Sequence, residues 1–242
     1  MTKTTKFPIE EINRLRKRAQ EASEVPVEGP QGWSKSETDP MKLLAVFSSL
    51  HLKEGLILRA YQFREGGNGN GMVWAMPEDA PFPDPEECPK LKDRFLGPPC
   101  PPGALDHVLK AIEGDGSPRS YLSASLFARE VAEFGAMWHG CDWRTHIIIG
   151  SAPWESPQSA DEESMFEAPS GHPDDWEWLK DRPMDWQIQV SEGNDMVTVT
   201  FYTHSALGQE TIYRHIDAYK QGSYLFKSEK KVVARGPGGY VF

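Results

Sequence analysis

Between Ser117 and Gly150 the sequence SPRSYLSASLFAREVAEFGAMWHGCDWRTHIIIG sets out a helix start, an apolar period, a glycine and an apolar run in immediate succession. Ser117 can accept a hydrogen bond from the free amides of a first turn. Pro118 then stands where a missing N–H costs a helix nothing. Phe127, Val131, Phe134 and Trp138 recur at steps of four, three and four, which places them on one buried helix face. Gly140 offers the left-handed stop. The segment from Trp143 to Ile149, closed by Gly150, ends in three isoleucines with no polar alternation. It predicts a central strand covered on both faces.

The same junction holds the densest reactive chemistry of the chain: His139, Cys141, Asp142 and His146 fall within eight residues. Imidazole, thiolate and carboxylate all bind zinc, yet the spacing H-x-C-D-x3-H is not that of a closed site, and no second cysteine pair completes it. As a nucleophile, Cys141 would need a histidine, His139 or His146, within hydrogen-bond reach to ionise its thiol. His139 and Cys141 flank one glycine and so can converge in a turn, but the sequence identifies no third, orienting group. The plainer account has a buried small thiol, a histidine at a helix end and a strand histidine satisfied by a carbonyl. It carries the greater weight.

Residues 9–21 predict a short helix with glutamates early and arginines late. Its basic group Arg14, Arg16, Lys17 and Arg18 is read as a solvated face rather than a docking face for an acidic partner. Residues 24–40 are a Pro/Gly loop, and Asp39 with Pro40 marks the start of a further short buried helix. Leu56 to Phe63 and Met72 to Met76 form two β-rich runs around EGGNGNG, a hairpin signal. That loop has no following helix and no Lys-Ser/Thr, so it is not a phosphate cradle. Nine prolines between Pro77 and Gly103 forbid regular structure there. The segment is expected to be an extended strap pinned by Phe82, Leu91, Phe95 and Leu96. Leu105, Val108, Leu109 and Ile112 predict a second amphipathic helix over 104–112, with His107 facing solvent. Its short connection to Ser117 makes the two a helical hairpin.

After Gly150 the composition changes. Residues 151–185 contain ten acidic side chains interleaved with Trp154, Trp176, Trp178 and Trp186, and a plain linker is normally poor in aromatics. This stretch is therefore expected to fold onto the body and to present a binding surface through Trp154, Trp176, Trp178, Asp175 and Glu177. Stacking of a sugar between paired carboxylates is the sharper version of that idea, although nothing fixes a carboxylate separation. The remainder is strand-like: Trp186 to Val190, Met196 to Thr203 and Thr211 to Ile216 form an antiparallel meander. His204 and His215 fall on neighbouring strands and can face one another near His146.

The expected fold is a single α+β domain over residues 1–242, with a mostly antiparallel sheet, a central helical hairpin and two long Pro-rich loops. Residues 1–40 supply an N-terminal helix and connecting loop, and a subdomain division near 150 is the alternative. A net charge of −10 opposes general nucleic-acid binding and favours a basic protein partner. Three cysteines, an odd number, do not make a disulfide framework, although a Cys88–Cys100 bridge is conceivable. No apolar leader or membrane-length run is present, so a cytoplasmic, soluble protein is expected. No cofactor motif and no metal-ligand set is recognisable, and G-x-S-x-G, H-E-x-x-H, the Walker loop and C-x-x-C are all missing. The reading is a non-catalytic interaction or ligand-binding protein using its Pro/Trp/acidic loops. The alternative is a hydrolase-type enzyme using His139, Cys141, Asp142 and His146 as a Cys-His or metal site.

Overall fold

The computed structural model describes residues 2–94, 96–152 and 172–241. In chain order its elements are β1 (Lys3–Phe7), α1 (Ile9–Ser23), β2 (Gly32–Lys35), α2 (Pro40–Val46), β3 (Leu50–Leu52), β4 (Leu56–Glu65) and β5 (Asn68–Pro77). There follow β6 (Ile112–Gly114), α3 (Pro118–Ala132), β7 (Ile147–Ile149), β8 (Glu177–Trp178), β9 (Ile188–Glu192), β10 (Met196–Ser205), β11 (Thr211–Lys220) and β12 (Phe226–Arg235). The class is α+β with a mostly antiparallel sheet. Two compact units are formed, one of Leu15–Trp143 and one of Met1–Arg14 with Arg144–Phe242. No helix among the described residues is long and apolar enough to cross a membrane.

In the unit of residues 15–143 the helix starts are where the capping chemistry puts them. Ser117 Oγ accepts from the Ser120 amide at 3.3 Å with Pro118 at the first position, and Asp39 Oδ1 accepts from Met41 N at 2.9 Å ahead of Pro40. Strands β2, β4 and β5 form one antiparallel sheet. The β4–β5 hairpin closes through Gly66 and Gly67, both at positive φ as a primed two-residue turn requires. The Pro-rich strap lies against this sheet. Phe82 stacks on Tyr61 at 4.5 Å between centroids, Tyr61 Oη donates to Pro83 O at 2.8 Å, and the Trp33 and Trp74 indoles donate to Leu96 O and Pro99 O. Phe95 lies outside the described residues. Cys88, Cys100 and Cys141 are thiols, so the conceivable Cys88–Cys100 bridge is not made.

Three local expectations fail here. The helix of 117–140 stops at Ala132, because Gly135 takes φ +62° and hands its N–H to Ser23 O at 3.1 Å. Phe127, Val131 and Phe134 are buried as the period demands, but Trp138 lies beyond the stop and is 68% exposed. The helical hairpin is absent as well: of residues 104–112 only Val108–Ala111 form one 3-10 turn. Leu105 N is bonded to Ala75 O at 2.8 Å and Ile112 pairs with Leu52, so long-range backbone pairing at both ends outcompetes the local helical period.

In the other unit the sheet order is β1-β9-β10-β11-β12-β8, with β7 also on β10. Strand β9 pairs with residues 197–200 of β10 and β7 with residues 202–204. The two short strands therefore follow one another along a single edge of β10. This corrects the central strand expected over 143–149: only Ile147–Ile149 is extended, and Trp143–Thr145 is a 3-10 turn. On β10 and β11, Phe201 stands opposite His215 and Thr203 opposite Tyr213, so these side chains share one face. Tyr202, His204 and Ile212 occupy the other face, where Tyr202 and Ile212 pack with Trp176, Trp186 and Ile149.

Candidate functional site

Beyond the end of α3 the chain makes a turn held from both sides. Gly135 O accepts from the buried Gln62 side chain at 2.9 Å, and Met137 N donates to Gly69 O at 2.9 Å, fastening the turn to strand β5. Gly140 N reaches Met137 O and Cys141 N reaches Trp138 O, at 2.9 and 3.0 Å. A Cβ at Gly140 would sit 2.5 Å from Gly69 O, so the approach of the turn to the hairpin needs a glycine there. On the far side Glu133 Oε1 accepts from the amides of Asp142, at 2.7 Å, and Trp143.

Trp143 is itself fixed. Its indole N–H donates to Glu130 Oε1 at 2.8 Å, and the Arg16 guanidinium lies 4.3 Å above its ring while bonding Glu130 and Trp143 O. Arg16 is 7% exposed, so one member of the basic group read as a solvated face is in fact an interior partner of Glu130. Held between these two clamps, Trp138 has φ +46°, a left-handed backbone that a bulky residue adopts only when its surroundings enforce it.

The predicted reactive cluster is distributed. His139 and Asp142 are exposed and Cys141 is half-buried, all in the 15–143 unit, whereas His146 belongs to the other unit. His146 is 3% exposed. Its Nδ1 lies 2.8 Å from Thr203 Oγ1 and its Nε2 3.3 Å from Lys230 Nζ, and the same Thr203 oxygen lies 2.8 Å from His215 Nε2. Of the two sheet histidines expected near His146, only His215 is on its face. His204 points to the opposite one and bonds Glu210 Oε1 at 2.9 Å, because neighbouring residues of a strand alternate. Among the described residues no three His, Cys, Asp or Glu side chains are grouped to hold a metal ion.

Of the residues expected to form a binding surface in the acidic, tryptophan-bearing stretch, Trp176 is not at the surface. Trp176 is 4% exposed and packed in the core beside His204, which removes it as a stacking platform. Trp178 is half-buried in β8 under the Arg182 guanidinium at 4.9 Å. Asp175 Oδ2 accepts from His172 N at 2.7 Å, and Glu177 pairs with Arg235 at 3.6 Å. Trp154 lies outside the described residues.

Trp138, which a continuous helical period buries, is thus the aromatic side chain most openly displayed among the described residues. Gly135 in EFGAM is the sequence signal that would have found it, being the earlier of two possible helix stops. Comparison with protein-family models, with curated proteins and with solved structures finds no match.

Proposed function

We propose that this chain is a non-catalytic interaction protein that docks a basic protein partner through Trp138 on its clamped turn. The observation that carries the reading is a tryptophan 68% exposed on a left-handed backbone whose neighbours are tied to β5 and to Glu133. Backbone strain of this kind costs about 1–3 kcal/mol and concentrates at functional positions. Tryptophan is also the residue most enriched among binding hot spots, and a pre-positioned one loses little entropy on docking. The net charge of −10 supports a basic partner. Three cysteines present as thiols fit a reducing, cytoplasmic setting.

The hydrolase-type alternative has less support. Both ring nitrogens of His146 are engaged, by Thr203 and Lys230, which weighs against it as the base for Cys141 or as a metal ligand.

The test is affinity capture with the whole chain, identification of the captured protein, and titration of that protein in purified form. A basic partner that binds at least about tenfold more weakly to Trp138→Ala, with melting unchanged, supports the reading. A purified partner indifferent to Trp138→Ala overturns it.

A further inference from the structure

The 15–143 unit also contains a cleft of about 300 Å³. This is the lower end of the range for small-molecule sites. Its walls come from β5, the end of α3 and the 3-10 turn at Val108, with Met72, Val73, Val108 and Val131 giving an apolar interior. Three side chains supply polarity, Arg94, Asp106 and His107. Among the described residues Arg94 forms no ion pair, and its Nη1 lies 3.9 Å from Met72 Sδ. The one carboxylate lining the cleft, Asp106, is already bonded by Lys110 Nζ at 2.8 Å, so Arg94 leaves the rim with a positive excess.

His107 adds a donor of defined tautomer. Its Nδ1 accepts from Leu109 N at 3.2 Å and therefore carries no proton in the neutral ring, which places the proton on Nε2. Burial first, and then Arg94 and Lys110, hold this histidine below its ordinary pKa against the opposing pull of Asp106, so the neutral ring is the working form. A guanidinium fork and an imidazole N–H above an apolar interior are complementary to a carboxylate attached to an apolar body. They suit neither a neutral hydrocarbon nor a fully hydrated polyanion. We propose that this cleft binds a small apolar monocarboxylate, its carboxylate on Arg94 and His107 and its body along Met72 and Val131. The site goes beyond docking through Trp138 and stands apart from it.

The experiment is calorimetric titration of the whole chain with 4-phenylbutyrate, beside neutral 4-phenylbutanamide and inorganic phosphate. The expected result is saturable 4-phenylbutyrate binding below about 10 mM, with the amide and phosphate each at least about tenfold weaker. Arg94→Gln changes an exposed side chain and should weaken 4-phenylbutyrate about tenfold. Ala132→Phe, also at an exposed position lining the cleft, should abolish binding by filling it, with melting curves confirming that both variants are folded. Absence of saturation, equal binding of the amide, phosphate binding as well as 4-phenylbutyrate, or an unaffected Arg94→Gln would each overturn the proposal. Trp138→Ala should bind 4-phenylbutyrate as the parent chain does, so failure of either proposal leaves the other readable.

Discussion

His146 and His215 are joined through one hydroxyl: Thr203 Oγ1 lies 2.8 Å from Nδ1 of the first and 2.8 Å from Nε2 of the second. A hydroxyl has one proton to give, so it can donate to only one of the two rings. Lys230 decides which. Its ammonium only donates, so His146 Nε2 at 3.3 Å must accept, and the proton of the neutral His146 ring sits on Nδ1 facing Thr203. Thr203 therefore accepts from His146, and its own proton is left for His215 Nε2, the other ring nitrogen in reach, where we predict it goes. At mildly alkaline pH, nitrogen NMR should find His146 protonated on Nδ1 and His215 unprotonated on Nε2. The opposite pair of tautomers would refute this ordering.

Replacing Thr203 by valine keeps the shape and removes both hydrogen bonds in a fully buried setting. Two ring nitrogens lose their partner, so Thr203→Val should cost about 2–4 kcal/mol, while Thr203→Ser, which keeps the hydroxyl, should cost about 1 kcal/mol. Urea unfolding curves distinguish the two.

At position 138 the backbone argument separates from the docking argument. Trp138→Gly relieves the left-handed conformation and Trp138→Ala does not, so the glycine variant should be the more stable by about 1 kcal/mol. Both should lose partner binding alike. An alanine variant as stable as the glycine variant would show that the backbone at 138 is not held left-handed.

The Arg16–Glu130 pair is buried, at 8% and 1% side-chain exposure with 3.1 Å between Nε and Oε1. Arg16→Met leaves Glu130 charged, with the Trp143 indole still donating to it, and should cost about 3 kcal/mol or more. Adding Glu130→Gln removes the uncompensated charge, so the double variant should recover at least half of that loss. A double-mutant cycle measured by thermal unfolding tests the coupling.

High pH should destabilise the 15–143 unit. Burial, reinforced by the bond to Cys88 and the charges around it, pushes the Tyr61 hydroxyl above its ordinary pKa, and burial raises the Cys100 thiol likewise. In the unfolded chain these groups release their protons near about pH 9 to 10, whereas the folded chain retains them. The folded state then binds more protons, and its stability falls as pH rises through that window. Tyr61→Phe loses the bond to Pro83 O and about 1 kcal/mol at neutrality, but should show a shallower alkaline decline. An equally steep decline in Tyr61→Phe would remove Tyr61 as its source.

What the chain determines locally can be read from it directly. Ser117-Pro118 and Asp39-Pro40 start helices because a cap involves only neighbours within one turn, and Gly66-Gly67 closes a hairpin because positive φ is a property of the residue itself. The β-branched and aromatic residues of MVTVTFYT mark a strand because that preference too is local. The exposure of Trp138, on which the proposed docking rests, is not legible there. Whether the helix stops at Gly135 or Gly140 depends on Ser23 O, Gln62 and Gly69, which are far away in sequence and together expose Trp138. Local periodicity over 104–112 lost to pairing with Leu52 and Ala75, and Arg16 was buried by a glutamate 114 residues away. Meeting of His146 and His215 at Thr203 rests on strand register, where a shift of one residue would turn Thr203 to the other face. Period and capping are short-range and belong to the sequence, whereas register, exposure and the pairing of buried polar groups are long-range and were decided only by tertiary packing.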